Sequence, residues 1–139
     1  METTQSFSNK FAENLTALQP QESRVKWDIR GEIGDMQVYD KTLIAIVNFN
    51  ESTEELYGNR TQRLTGSVTG QIFTEQMTNG EVYEVLDEFQ AIIYDYIGTL
   101  RYTEIGDAEV LQGTCDSILS TPKGNYWNFI LPIDLVVQF

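Results

Sequence analysis

The chain contains no histidine. That removes the usual general base, the histidine-dependent serine and cysteine triads, and most zinc sites. Cys115 is the one cysteine, so an intramolecular disulfide is excluded and no second thiolate can share a metal. Bases are scarce: 9 Lys and Arg stand against 21 Asp and Glu, a net charge of -12. Nucleic-acid binding needs Lys and Arg to displace phosphate counterions. A sequence-specific DNA or RNA binder is therefore not expected, and neither is a polybasic membrane surface. No apolar run approaches the roughly 20 residues of a membrane helix. The N-terminus lacks the basic-then-apolar order of a signal peptide. The glycines stand alone, matching neither a P-loop nor a dinucleotide fingerprint. Glu51, Glu54 and Glu55 lack the spacing of a dedicated calcium loop. The expectation is no enzyme, no cofactor and no metal.

What is present suits one globular domain spanning residues 1–139. Apolar residues make up 41% of the chain, and a chain this long buries about two-thirds of its unfolded surface. Phe7, Phe11, Leu15 and Leu18 share one face at helical spacing. Ser6 or Ser8 is placed to cap that helix and Pro20 to end it. Val25, Trp27 and Ile29 then alternate with Arg24, Lys26, Asp28 and Arg30, the pattern of a half-buried strand with a basic wet face. Gly34-Asp35 suggests a turn. The run Thr42 to Val47 reads as a strand buried on both faces.

From Asn50 to Arg60 the chain is polar, a loop or a protruding hairpin tip. Glu54, Glu55, Leu56, Tyr57 and Arg60 are its candidate contacts with a neighbouring subunit. Gln62 to Phe73 reads as a long strand. Gly66 and Gly70 interrupt its apolar face and leave room for a close neighbour, such as a helix.

Val82, Val85, Leu86, Phe89, Ile93, Tyr96 and Ile97 predict a second helix of more than four turns. Thr78 or Asn79 is its cap and Gly98 its stop. Its wet face carries Glu81, Glu84, Asp87, Glu88 and Asp95 without a base. Solvated helices usually mix the signs, so Glu84, Asp87 and Glu88 are candidates to face a basic partner or a ring lumen. Arg101 to Ser120 reads as two short strands or one bulged strand, and Pro122-Lys123-Gly124-Asn125 as a turn. In the last strand Trp127, Phe129, Leu131, Ile133, Leu135, Val137 and Phe139 take every second position. Pro132 cannot donate to a ladder, which predicts an edge or a bulge. Ile130 and Val136, on the mixed face, are candidate subunit contacts. The fold class expected is α+β, in the order α-β-β-β-α-β-β. Short polar links predict a mainly antiparallel sheet of four to five strands with both helices on one face.

This layout resembles the tail terminator family of long-tailed phages. The likeness is carried by Phe7 to Leu18, Lys41 to Arg60, Val82 to Ile97, and the pair Ala108 to Ser120 with Tyr126 to Phe139. It rests on element order, and related head–tail joining and minor capsid proteins share much of it. The resemblance implies a structural virion protein, made in the host cytoplasm and placed at the head-proximal end of the tail. It implies a homo-oligomeric ring, a hexamer, whose partners are the tail tube protein and a head connector or completion protein. The ring would end tail polymerisation and join tail to head. A different reading of the same acidic composition is a small protein-binding module that engages a basic partner.

Overall fold

A computed structural model describes residues 4–22, 25–32, 42–55, 61–73 and 77–138, with the backbone alone for Thr4 and 51–55. The elements in chain order are α1 (Thr4–Thr16), β1 (Lys26–Arg30), β2 (Thr42–Glu55), β3 (Thr61–Phe73), α2 (Asn79–Gly98), β4 (Thr103–Ile105), β5 (Ala108–Cys115), β6 (Leu119–Lys123) and β7 (Tyr126–Gln138). All strands belong to one seven-stranded sheet ordered β1-β2-β3-β7-β5-β4, with β6 also paired to β7.

The sheet corrects the expectation of four to five mainly antiparallel strands: it has seven among the described residues, and it is mixed. Strand β1 runs parallel to β2, with Lys26 opposite Thr42 and Arg30 opposite Ile46. Parallel neighbours cannot be joined by a tight hairpin and need a longer crossover, and the turn expected at Gly34-Asp35 falls between these two strands in the sequence. Gly34 and Asp35 themselves lie outside the described residues. The stretch 101–123 gives three strands because two features interrupt it. One is a turn at Gly106, whose φ is 62°. The other is the break at 116–118 between β5 and β6.

Pro132 explains that break. It sits neither at an edge nor in a bulge, for β7 is central and Pro132 pairs across β3 with Ser67. Its carbonyl accepts from the Asp116 N–H at 3.1 Å, so its missing N–H points to the same side. There β5 ends opposite Ile133 and β6 begins opposite Ile130. The neighbouring strand is interrupted where the proline offers no donor. Strands β6 and β7 then close through the two-residue loop Gly124-Asn125. Gly124 has φ 73°, the positive value a type II′ hairpin loop demands at its first position.

Both helices cover one face of the sheet, and a single apolar cluster fills the space between. Phe7, Phe11 and Leu15 are fully buried; Phe7 and Phe11 both meet Phe49 of β2 edge-on. Asn14 Nδ2 donates to Tyr96 Oη at 3.1 Å, tying α1 to α2. Burial raises the Tyr96 phenol above its usual value, and the Asn14 hydrogen bond pulls it partly back. Ser8 is buried within α1 rather than capping it. The cap of α2 is Thr78, which accepts from the Glu81 N–H at 3.2 Å.

Gly98 is the last helical residue, not a left-handed stop: the cap is Thr99 in an ordinary right-handed conformation. A Cβ at Gly98 would meet nothing within 4 Å. Gly98→Ala should therefore stabilise the protein by about 0.5–1 kcal/mol through the unfolded chain's lost freedom. A thermal melt reads this as a raised midpoint; a lowered one would show that the position is constrained.

The open edge of β1 is closed by side chains from the end of α1 and the turn after it. Gln19 accepts from the Trp27 N–H at 3.1 Å and donates to the Val25 carbonyl at 3.4 Å. Thr16 Oγ1 lies 3.2 Å from the Ile29 carbonyl, though it is nearer the Ala12 carbonyl at 2.9 Å. The Gln19 amide thus stands in for a further strand and blunts an edge that could template association. Gln19→Ala should cost about 1–2 kcal/mol, the net worth of two hydrogen bonds. Urea denaturation measures the loss, and light scattering should detect new concentration-dependent aggregation.

Candidate assembly interface

Strand alternation gives the sheet a core face and an outer face. Among the described residues no helix packs on the outer face. A continuous row crosses it: Arg30, Ile46, Thr69, Ile130 and Leu119 are successive partners on β1, β2, β3, β7 and β6. Leu119 is 63% exposed and Ile130 38%. Beside that row Gln71 Nε2 donates to Asn128 Oδ1 at 3.1 Å, and Phe73 lies against Tyr126. Ile44 and Ile46 are half-buried on this same side. The run Thr42 to Val47 is therefore fully covered on one face only, not on both as its composition predicts.

The charges of the outer face differ from those of the whole chain. Lys26, Arg30, Arg63 and Lys123 share it with Asp28, Glu104, Glu109 and Asp134. Arg30 pairs with Asp28 at 3.0 Å, and Arg63 stands 3.8 Å from Asp134. These pairs are partly exposed and contribute little to stability. Their balance matters more. The four bases are matched by four acids, so the described side chains of this face are neutral in sum, in a protein of net charge -12.

The opposite side of the molecule presents the outer arc of α2. Glu84, Asp87, Glu88 and Asp95 are exposed along it, and no base lies among the exposed positions of the helix. Two large aromatics stand among these carboxylates: Tyr83 is 54% exposed and Tyr94 62%. Tyr83 is braced by Trp127, edge to face at 5.1 Å. Past the helix end, Tyr102 is 65% exposed and holds φ at 64°. That left-handed conformation costs a non-glycine residue about 1 kcal/mol or more. Arg101 lies over its ring at 5.0 Å.

No protein-family model matches the chain, and no curated protein is similar to it. Among the solved structures similar to it is one that aligns over 96% of this chain and 92% of its own, at 13% identity and a TM-score of 0.49. Its name states no function.

A cavity of about 300 Å³ lies between the end of α2 and β5, lined by Tyr94, Ile97, Gly98, Gly113, Thr114 and Cys115. Its one candidate nucleophile is poorly activated. Burial, and secondarily the Asp116 charge, push the Cys115 thiol up to about 11. At pH 8 the thiolate fraction should be roughly a hundredfold below that of the same thiol in the unfolded chain. Alkylation by iodoacetamide should be slow in the folded protein, rise as pH approaches 11, and become fast in denaturant. Fast alkylation of the native protein at pH 8 would contradict this environment. Among the described residues no group of three or more acidic or thiol side chains is placed to hold a metal. No described helix is long and apolar enough to cross a membrane.

Of the residues singled out in the sequence, Glu84, Asp87 and Glu88 share the exposed arc of α2, and Ile130 and Val136 share the outer sheet face. The two groups lie on opposite sides. The backbone of β2 carries Glu54 and Glu55 to the end of the β2–β3 hairpin, where Glu55 pairs with Gln62 after a register shift. The polar stretch is thus strand as far as Glu55. Leu56, Tyr57 and Arg60 lie outside the described residues. Tyr83, Tyr94 and Leu119 are not among the residues singled out in the sequence. The first two had a signal, since they are aromatics off the apolar stripe of their helix. Leu119 had none, because its face depends on the break that Pro132 imposes.

Proposed function

We propose that this chain is a structural subunit that associates with copies of itself into a ring, as a terminator of the tail tube in a long-tailed phage. The observation that carries the reading is the sheet with one side packed under two helices and the other carrying exposed Leu119 and Ile130. Such a face suits burial in an assembly. The element order α-β-β-β-α followed by extended strands and a long final one adds to it, since that order carries the resemblance to tail terminators. The work of such a protein is interface complementarity, with subunits closing head to tail.

The test is the mass of the purified protein across concentration by sedimentation, followed by electron microscopy of the protein mixed with tail tubes. Rings that cap tube ends are the expected result. A protein monomeric at every concentration and absent from tubes would overturn the reading. Binding to head portals instead of tubes would move the subunit to the head side of the joint. The base-free arc of α2 favours one further reading, a module that engages a basic partner. Tight, salt-sensitive capture of a basic protein by a monomeric chain would support it over the ring.

A further inference from the structure

The ring reading leaves open which surfaces meet, and the two faces described above fit one another. We infer that copies of this chain associate with the exposed arc of α2 of one copy lying on the outer sheet face of the next. This rests on the ring reading and deepens it.

Three observations carry the assignment. The first is shape. From Ile46 to Leu119 the row crosses β2, β3, β7 and β6, three strand spacings or about 14 Å. From Tyr83 to Tyr94 the helix advances eleven residues, about 16 Å. The two tyrosines therefore match the apolar row end to end. The second is chemistry. Tyr83 and Tyr94 are large side chains with few rotatable bonds, of the kind enriched at the centres of interfaces. The row offers Ile130 and Leu119, exposed aliphatic groups. The third is charge. The arc carries Glu84, Asp87, Glu88 and Asp95 with no base, while the sheet face sets Lys26, Arg30, Arg63 and Lys123 against four acids and so offers bases to an acidic neighbour without a net negative charge of its own. Like faces would not do as well. Two helix arcs would oppose carboxylates to carboxylates, and two sheet faces would leave both sets of tyrosines in water.

The two surfaces lie on opposite sides of one molecule. The contact is therefore heterologous, and repetition produces a closed ring or an open stack rather than a two-fold dimer.

The experiment uses two variants of the full chain. Leu119→Glu with Ile130→Glu spoils the sheet face. Tyr94→Ala with Glu88→Lys spoils the helix arc. Circular dichroism checks that each is folded; Leu119→Glu alone, at the more exposed position, serves if the first double variant is not. Sedimentation should show each variant weakened in self-association by about tenfold or more. Mixed, they should form a one-to-one dimer and nothing larger, because each supplies the surface the other lacks. If the wild-type chain assembles and either folded variant assembles equally well, these surfaces are the wrong ones and the ring reading stands. If only the sheet variant fails and mixing rescues nothing, the contact is sheet to sheet and the inference is overturned. A wild-type chain that is monomeric throughout removes the ring reading and this inference together.

Discussion

Phe89→Ala should lower the unfolding free energy by about 3–5 kcal/mol, the usual cost of emptying a buried aromatic site. Phe89 is fully buried. Its ring meets Trp27 of β1 edge to face at 4.9 Å and Phe129 of β7 in the same way at 5.4 Å. It thus joins α2 to two strands of the sheet. Domains of this size are stable by about 5–15 kcal/mol, so the variant should sit near the limit of folding at 37 °C. A urea titration measures it as a lower midpoint at an unchanged slope. Phe89→Leu keeps much of the buried area but loses two aromatic pairs, each worth about 0.5–1.5 kcal/mol. It should fall between wild type and alanine. A Phe89→Ala loss below about 1 kcal/mol would mean that α2 does not bear on the sheet through this ring.

Phe89 was visible in the sequence because it lies on a stripe whose period is that of a helix. So were Phe7, Phe11 and Leu15, and the strict alternation from Trp127 to Val137. Each of these signals is local and repeated, and burial follows it closely. What the sequence concealed depends on pairing between distant segments. Nothing local says that β1 and β2 run parallel, since residues 31–41 contain the same turn formers that a hairpin would use. Pro132 announced that a ladder would be interrupted, yet not that the gap would fall in the partner strand at 116–118. The candidate interface divides in the same way. The acidic arc of α2 was legible, being a face of one helix. The sheet row was not, because Arg30, Ile46, Thr69, Ile130 and Leu119 come from five strands and become neighbours only through register.

Gly70→Ala should destabilise the protein by about 2 kcal/mol, although alanine is the better residue for an unconstrained strand. The opposing effects can be weighed. Removing a glycine restricts the unfolded chain and favours folding by about 0.4–1 kcal/mol. A methyl group at Gly70, however, would strike the Ile44 carbonyl oxygen and come to 2.8 Å from Ala45 Cα. Both are backbone atoms of β2, held by pairing on either side, and cannot turn away as a side chain can. Forced overpacking of this kind costs about 1–3 kcal/mol and sometimes more, so the clash wins. Gly66 is placed alike, facing the Asn48 carbonyl and the Phe49 backbone and ring. The room these two glycines leave is thus taken by the neighbouring strand, not by a helix as their spacing had suggested. Gly113 supplies the control. Its added methyl group would meet Leu135 Cδ2 at 2.8 Å and Ile97 Cγ2 at 2.9 Å, ends of side chains that can shift, so Gly113→Ala should cost less than Gly70→Ala. Denaturation of the three alanine variants decides the matter. Equal losses at Gly70 and Gly113 would show that the close approach of β2 to β3 is not what requires glycine there.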